Sequence, residues 1–319
     1  MLQSRLVAGM FPIGLMVLGA SMVFGQTYPN RPIRIVASEA GGGGDFAARL
    51  IAQGLTDGLG QPVIVENRPS NIVGEIAAKV QPDGYSLLVE GVSFWIAPLL
   101  RKMPYDVTRD FSPVTLASAA PYCLVVHPSV PAKSVKELID LAKAKPGEIN
   151  YASAGIGGGA HLAGELFKAM TGVNIAHIPY KGSGPAAIGL IGGQVQMMIA
   201  NPPAVTPHIK SGKLRALAVT SAQPTALFPG LPTVSASGLP GYEVTVTTAL
   251  FAPIKTPVAI ISRLNQETVR ILHRSDVKER FFNTGVEAVG TSPGELGSSI
   301  KSDLAKWGKI IKDAGMRAD

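Results

Sequence analysis

Two glycine-rich turns, Gly41-Gly42-Gly43-Gly44-Asp45 and Ala154-Gly155-Ile156-Gly157-Gly158-Gly159-Ala160-His161, constrain this chain more than any other feature. Each lies between a short apolar run and an amphipathic one. Ile33 to Val36 enters the first turn and Phe46 to Leu55 leaves it; Ile149 to Ala152 enters the second and Leu162 to Met170 leaves it. That order reads as strand, bare loop, helix start. Without Cβ atoms, such a loop lets a ligand reach backbone N–H groups at a helix N-terminus, where the helix dipole favours negative charge. Two such turns, more than a hundred residues apart, predict one cleft with two walls.

The rest of the chain repeats the alternation. Val63 to Glu66, Ser86 to Val89, Val114 to Ala117, Tyr122 to Val126, Val173 to His177, Val195 to Ala200, Ala216 to Thr220 and Tyr242 to Ala252 read as strands. Helical periodicity marks Ala47 to Leu59, Val73 to Val80, Pro131 to Lys145, Pro185 to Ile191, Ala204 to Ser211, Pro257 to His273, Asp276 to Asn283 and Pro293 to Ala314. Ser134 and Glu137 stand as a capping box at the third of these. Short strands alternating with helices define an α/β chain. One α/β unit, a second, and a returning strand with helices fit two lobes joined by two crossings, near Pro121 and near Thr220. Residues 26–120 and 221–319 are then expected to form lobe one, and 121–220 lobe two. Ligands of open parallel sheets bind beyond the carboxyl ends of the strands, where both glycine turns fall.

At 46% hydrophobic and 16% charged residues, the 319-residue chain is globular rather than disordered. Residues 1–25 hold one basic residue, Arg5, no acid, and an apolar stretch from Leu6 to Phe24 broken by Pro12, Gly14 and Gly19. This reads as a secretory signal peptide, with cleavage expected before Gln26 and Ala20 as a second choice. No cysteine stands there, so no lipid anchor is expected. After Gln26 every apolar stretch stops well short of the roughly 20 residues a membrane span needs. The formal net charge of +7 falls to +6 without Arg5. The densest basic stretches, Lys136 to Lys145 and Arg263 to Arg280, also contain acids and read as solvated helix faces, so nucleic acid is not an expected partner. The one cysteine, Cys123, lies in an apolar run and reads as a small buried hydrophobe.

Catalytic patterns fail one by one. No serine has glycines at both offsets of a nucleophile elbow. Gly155 to Ala160 matches a relaxed dinucleotide fingerprint, yet Val173 to His177, about 20 residues on, offers no acid to hold a ribose. A phosphate loop is absent, and His127, His161, His177, His208 and His273 show no metal-ligand spacing. The chain is therefore expected to be no enzyme, with no catalytic residues, metal or cofactor. His161, opening the helix after the second turn, has three readings: capping, packing, or facing the cleft. Asp45 reads as N-cap of the first helix or as a ligand contact.

At this point a resemblance becomes specific. Tyr28-Pro29-Asn30-Arg31-Pro32-Ile33-Arg34, the Gly-Gly-x-x-Asp ending at Asp45 with Ala48-Arg49, Val65-Glu66-Asn67-Arg68-Pro69, Pro82-Asp83-Gly84-Tyr85, Pro104-Tyr105-Asp106 and Asp110-Phe111 stand in the order seen in the Bug family. So do His161 to Phe167, His177 to Gly182, Gly212 to Ser221 and Gly238 to Gly241. The chain thus resembles the Bug, or TctC, receptors of tripartite tricarboxylate transporters across everything after the leader. The resemblance implies a Venus-flytrap architecture of the type II-like periplasmic-binding-protein kind: two α/β lobes, a hinge of two crossing segments, and a small organic acid held between them. It implies a periplasmic solute-binding protein, expected to act as a monomer, that captures a small carboxylate or polar metabolite and delivers it to integral membrane permease subunits. A ligand-sensing module that signals to a membrane sensor protein is the alternative.

By matched motif, Gly41, Gly42 and Asp45 would form the wall of lobe one. Ser153, Gly157, Gly158 and Gly159, with His161, would form the anion cradle of lobe two, with Tyr180, Lys181 and Gly182 in the neighbouring turn and Asn201 after the strand Val195 to Ala200. Lys181 either complements a carboxylate or is a solvated turn lysine. The departures also matter. Where the family usually has Pro-Phe-Ala-Pro before the first Gly-Gly, this chain has Ala37, Ser38, Glu39 and Ala40, and Ser70-Asn71 replaces a glycine-rich stretch after Pro69. If Glu39 faces the cleft, it repels a second carboxylate by roughly 1 to 4 kcal/mol at about 4 Å. Ser38 and Glu39 would then meet an amine, amide or hydroxyl; otherwise Glu39 faces solvent or pairs with Arg34 or Arg49.

Overall fold

The computed structural model describes residues 28–38 and 40–313. The expected signal peptide at 1–25, its cleavage point and Glu39 lie outside the described residues. The first stretch runs β1 (Ile33–Ala37), α1 (Gly43–Leu59), β2 (Val63–Asn67), α2 (Ser70–Ala78), β3 (Ser86–Gly91), α3 (Val92–Leu100), α4 (Val107–Asp110) and β4 (Phe111–Pro121). A second follows with β5 (Cys123–Val126), α5 (Val135–Ala144), β6 (Asn150–Ser153), α6 (Gly159–Thr171), β7 (Ala176–Pro179), α7 (Ser183–Ile191), β8 (Met197–Ala200), α8 (Pro202–Lys210) and β9 (Arg215–Val219). The chain closes with β10 (Thr245–Pro253), α9 (Val258–Leu272), α10 (Ser275–Asn283), β11 (Glu287–Ala288) and α11 (Pro293–Asp313).

These strands form two sheets, one of order β11-β4-β10-β3-β1-β2 and one of order β7-β6-β8-β5-β9. Within the first, β1 runs parallel to β2 and β3, while β10 runs antiparallel to β3 and β4. Within the second, β6 runs parallel to β7 and β8, and β5 runs antiparallel to β8 and β9. The antiparallel strands β5 and β10 are those by which the chain enters each sheet from the other, so they run against the strands wound by βαβ crossovers.

Both faces of each sheet are buried, and the strands show it residue by residue. Ile33, Ile35, Ala37, Leu87 and Val89 pack toward α1, α9 and α10, whereas Val36 and Leu88 pack on the opposite side with Trp95 of α3 and Leu296 of α11. In the second sheet Leu124, Val126, Met197 and Ile199 face α5 and α6, and Cys123, Val125, Met198 and Ala200 face α7 and α8. Cys123 is fully buried, and burial pushes its thiol up, so it behaves as the apolar residue its neighbours suggest. One apolar cluster runs through both lobes, joining Val36, Trp95 and Phe251 to Tyr122, Tyr151 and Phe167.

The first crossing passes through Tyr122, between β4 and β5. The chain returns to the first sheet at Thr245, where β10 begins. Residues between them stay on the second sheet: Thr233 bridges Val219, Phe228 packs with Cys123 and Val205, and the Tyr242 hydroxyl donates to the Ala163 carbonyl at 2.8 Å. Thr220 laces the two crossings. Its hydroxyl accepts from Tyr122 N–H at 2.7 Å and donates to the Val244 carbonyl at 2.6 Å, fully buried.

Candidate ligand-binding site

Five turns converge beyond the carboxyl ends of parallel strands: β1 into α1, β3 into α3, β6 into α6, β7 into α7, and β8 into α8. The residues that start these helices are Gly42, Gly91, Gly158, Gly182 and Asn201. All five border one cavity of about 130 Å³, and none supplies a side chain that caps its helix. By contrast α5, away from the cavity, is capped by Ser134, whose hydroxyl accepts from Glu137 N–H. The starts of α1, α3, α6 and α7 leave orphan N–H groups at the positive end of a helix dipole, whereas α8 opens on Pro202-Pro203, which carry no N–H, and offers its dipole and the Asn201 side chain. With two starts from the first sheet and three from the second, the cavity is built to receive an anion from both walls.

Glycine is required here by approach as well as by conformation. A Cβ on Gly43 would collide with the Asn201 side chain across the cleft, and one on Gly159 would collide with the Tyr122 hydroxyl. The lobes also meet beside the cavity, where the Thr206 hydroxyl of α8 donates to the Thr284 carbonyl at 3.0 Å and Lys210 donates to the Asn283 carbonyl at 3.1 Å.

In the first turn Ser38 and Gly42 line the cavity, joined by Gly43 and Gly44; Gly41 stands outside it with φ +82°. Asp45 is not the N-cap, which is Gly42. It sits in the first turn of α1, almost buried, and accepts from Gly41 N–H at 3.0 Å and Asn67 Nδ2 at 3.0 Å while pairing with Arg49 Nε at 2.9 Å. Burial alone would raise its pKa, but the hydrogen bonds from Arg49, Gly41 and Asn67 outweigh burial and hold the carboxyl below the usual range. Asp45 therefore braces the loop from behind. Arg34 pairs with Glu66 at 3.1 Å.

The second turn has a similar brace. Gly158, Gly159 and Gly182 line the cavity, whereas Ser153 and His161 are buried behind it and Gly157 borders a smaller adjoining cavity. Gly157 N–H donates to His161 Nδ1 at 3.1 Å, which fixes that ring nitrogen as an acceptor. Ser153 Oγ accepts from Gly155 N–H at 3.2 Å and lies 2.7 Å from His177 Nε2. The His177 ring stacks on His161 at 4.1 Å and on Tyr151 at 4.8 Å. Glu165 closes the network, accepting from the Tyr151 hydroxyl at 2.6 Å and Lys168 Nζ at 2.9 Å. Of the neighbouring turn only Gly182 reaches the cavity. The Tyr180 hydroxyl donates to Gln194 Oε1 at 3.1 Å over Gly189, and Lys181 is exposed outside it. Asn201 lines the cavity.

Sequence reading missed the β3–α3 turn, Tyr122 and the β10 residues Thr247 and Thr248, all of which line the cavity. Glu90, 4% exposed, is the one charged side chain among the described residues that line it. The Thr247 hydroxyl is buried there with no hydrogen-bond partner among the described residues. Their signal was faint: an acid and a glycine directly after the apolar run Leu87 to Val89, and threonines inside a strand. No helix among the described residues is long and apolar enough to cross a membrane, and no group of three or more metal-ligating side chains gathers among them.

Residues 47–316 match the model of the tripartite tricarboxylate transporter family receptor. The chain is 39% identical over 305 residues to protein BugT of Bordetella pertussis, covering 93% of this chain and 94% of that relative. Among solved structures, the R. palustris protein Rpa4515 with adipate superposes with a TM-score of 0.88 at 36% identity, covering 91% of this chain and 99% of that one. MatC from Rhodopseudomonas palustris with bound malate gives 0.84 at 28% identity, covering 89% and 100%.

Proposed function

Because this chain belongs to the tripartite tricarboxylate transporter receptor family, we propose that it holds a small carboxylic acid in the cavity between its two sheets and hands it to a membrane permease. It is a solute-binding receptor rather than an enzyme. The observation that carries the ligand reading is the convergence of five uncapped helix starts, from both sheets, on one cavity. In this reading Ser38, Gly42, Gly158, Gly159, Gly182 and Asn201 touch the acid. Gly41, Asp45, Ser153, Gly157, His161 and Tyr180 shape the loops that do so, and Lys181 stays in solvent. Adipate and malate, bound by related proteins, set the size of acid to try first. The leader-like residues 1–25 support export and work in the periplasm. The moving bodies are the two sheets with their helices, and residues 221–244 travel with lobe two because they pack on its sheet.

Calorimetric titration with carboxylic acids of four to six carbons, together with native mass spectrometry of the purified protein, tests the reading. One acid per chain is expected. Ser183→Pro removes one cavity-facing N–H at the first position of α7, where proline fits a helix. It is expected to weaken binding by roughly tenfold, the scale of one hydrogen bond to a charged group, with little change in melting temperature. Absence of binding by every such acid would remove the proposal.

A further inference from the structure

We propose that Glu90 makes this cleft select acids whose second end is a protonated amine over dicarboxylates of the same length. The inference rests on the reading of the cavity as an acid-binding cleft and names the ligand class within it.

Glu90 is the penultimate residue of β3, 4% exposed, and lines the cavity directly before the N-terminus of α3. No Lys, Arg or His lines that cavity among the described residues. Positive potential there comes from the backbone alone: the N–H groups at the starts of α6 and α7 and the dipole of α8 in lobe two, and the N–H groups at the starts of α1 and α3 in lobe one. The opposite pole differs. Across the sheet Glu90 stands beside Ala249 of β10, and two residues earlier on that strand is Thr247, whose buried hydroxyl lacks a partner among the described residues. Lobe two thus offers no charged side chain to the cleft, whereas the wall at α3 sets a carboxylate and a hydroxyl beside its N–H groups. A ligand with two carboxylates must set one of them near this pole, where like charges repel at short range. An ammonium in the same place is attracted by the same field and donates to Glu90 and to the Thr247 hydroxyl.

Arg101, at the end of α3, is exposed and borders a small adjoining cavity of about 40 Å³ that Glu90 also touches, not the main one. Its screening of Glu90 therefore acts from outside the ligand space.

Titration of the full chain with length-matched pairs decides the matter: succinate against 4-aminobutanoate, glutarate against 5-aminopentanoate, adipate against 6-aminohexanoate. Wild-type protein is expected to prefer the amino acid of the best-fitting pair by at least about tenfold, and Glu90→Gln to reverse or abolish that preference. A wild-type preference for the dicarboxylate overturns the inference while leaving the acid-binding reading intact. So does a ratio that Glu90→Gln leaves unchanged within about twofold, because glutamine keeps the shape and can still donate, as a neutral Glu90 would. If Glu90→Gln fails to fold, the wild-type ratio alone decides. Failure of every acid in both series removes the acid-binding reading and this inference with it.

Discussion

His161 and His177 show how single side chains set the shape of the second glycine turn. Burial, and then the neighbouring His161, hold the His177 imidazole down to about 4, and burial lowers His161 despite the opposing pull of Glu165. Both rings are therefore neutral at pH 7, as His161 must be at Nδ1 to accept from Gly157 N–H. In the unfolded chain both return to about 6.5. As pH falls from about 6.5 toward 4 the unfolded state takes up protons that the folded state refuses, and stability declines. Asp45 and Glu165 have lowered values in the folded state, so their contribution is lost at more acidic pH, from about their ordinary carboxylate range downward. The window above about pH 5 belongs to the histidines. Urea denaturation midpoints measured between pH 7 and 5 are expected to fall for the wild type and to flatten in His177→Gln; a midpoint constant over that range would contradict the assignment. At neutral pH, His161→Leu leaves the Gly157 N–H without its acceptor and is expected to cost about 1–3 kcal/mol, read from the same denaturation curves.

Elements rather than residues decide where the cavity lies, and here the sequence was legible in part. The two glycine turns announced α1 and α6 because an apolar run, a Cβ-free loop and a periodic run followed one another. α3 left no such trace. Its segment Val-Ser-Phe-Trp-Ile-Ala-Pro-Leu-Leu is apolar nearly all round and carries Pro98 inside, so the helical period is hidden. Glu90 was hidden with it, because a strand read as ending at Val89 gives no reason to look at the next residue. β7 was placed too early, at Val173: Val173 and Ile175 are buried, yet backbone pairing with β6 begins only at Ala176. Burial and pairing are separate demands, and hydropathy reports only the first. Close approach is likewise invisible in a string of glycines until the partner is known. Tyr122 lies against the first turn of α6, so Gly159→Ala is expected to weaken acid binding by about tenfold, the scale of an overpacked contact. Tyr122→Phe, by removing the hydroxyl that a Cβ would meet, is expected to recover part of that loss. Titration of the two single variants and the double variant checks the pair, and equal losses in Gly159→Ala with and without Tyr122→Phe would refute the contact.

For the whole molecule, the question is whether two lobes behave as two bodies or one. The crossings are short and laced: Thr220 ties Tyr122 to Val244, and Thr245 pairs with Pro121 where β10 meets β4. Around them a single apolar cluster continues from Trp95 and Phe251 in the first lobe to Tyr151 and Phe167 in the second. A core shared across the hinge couples the unfolding of one lobe to that of the other, so calorimetry should record one transition rather than two. An acid bound between the lobes then stabilises the molecule as a unit. At 100 times its dissociation constant it adds about 2.7 kcal/mol, which for a chain of this size raises the melting temperature by about 4 °C. Thr220→Val is expected to lower the melting temperature without acid, because it strips a buried N–H of its acceptor. It should leave the increment on adding acid largely intact, since Thr220 does not line the cavity. Two resolved transitions, of which the acid moves only one, would show instead that the shared cluster does not couple the lobes and that one wall alone holds the ligand.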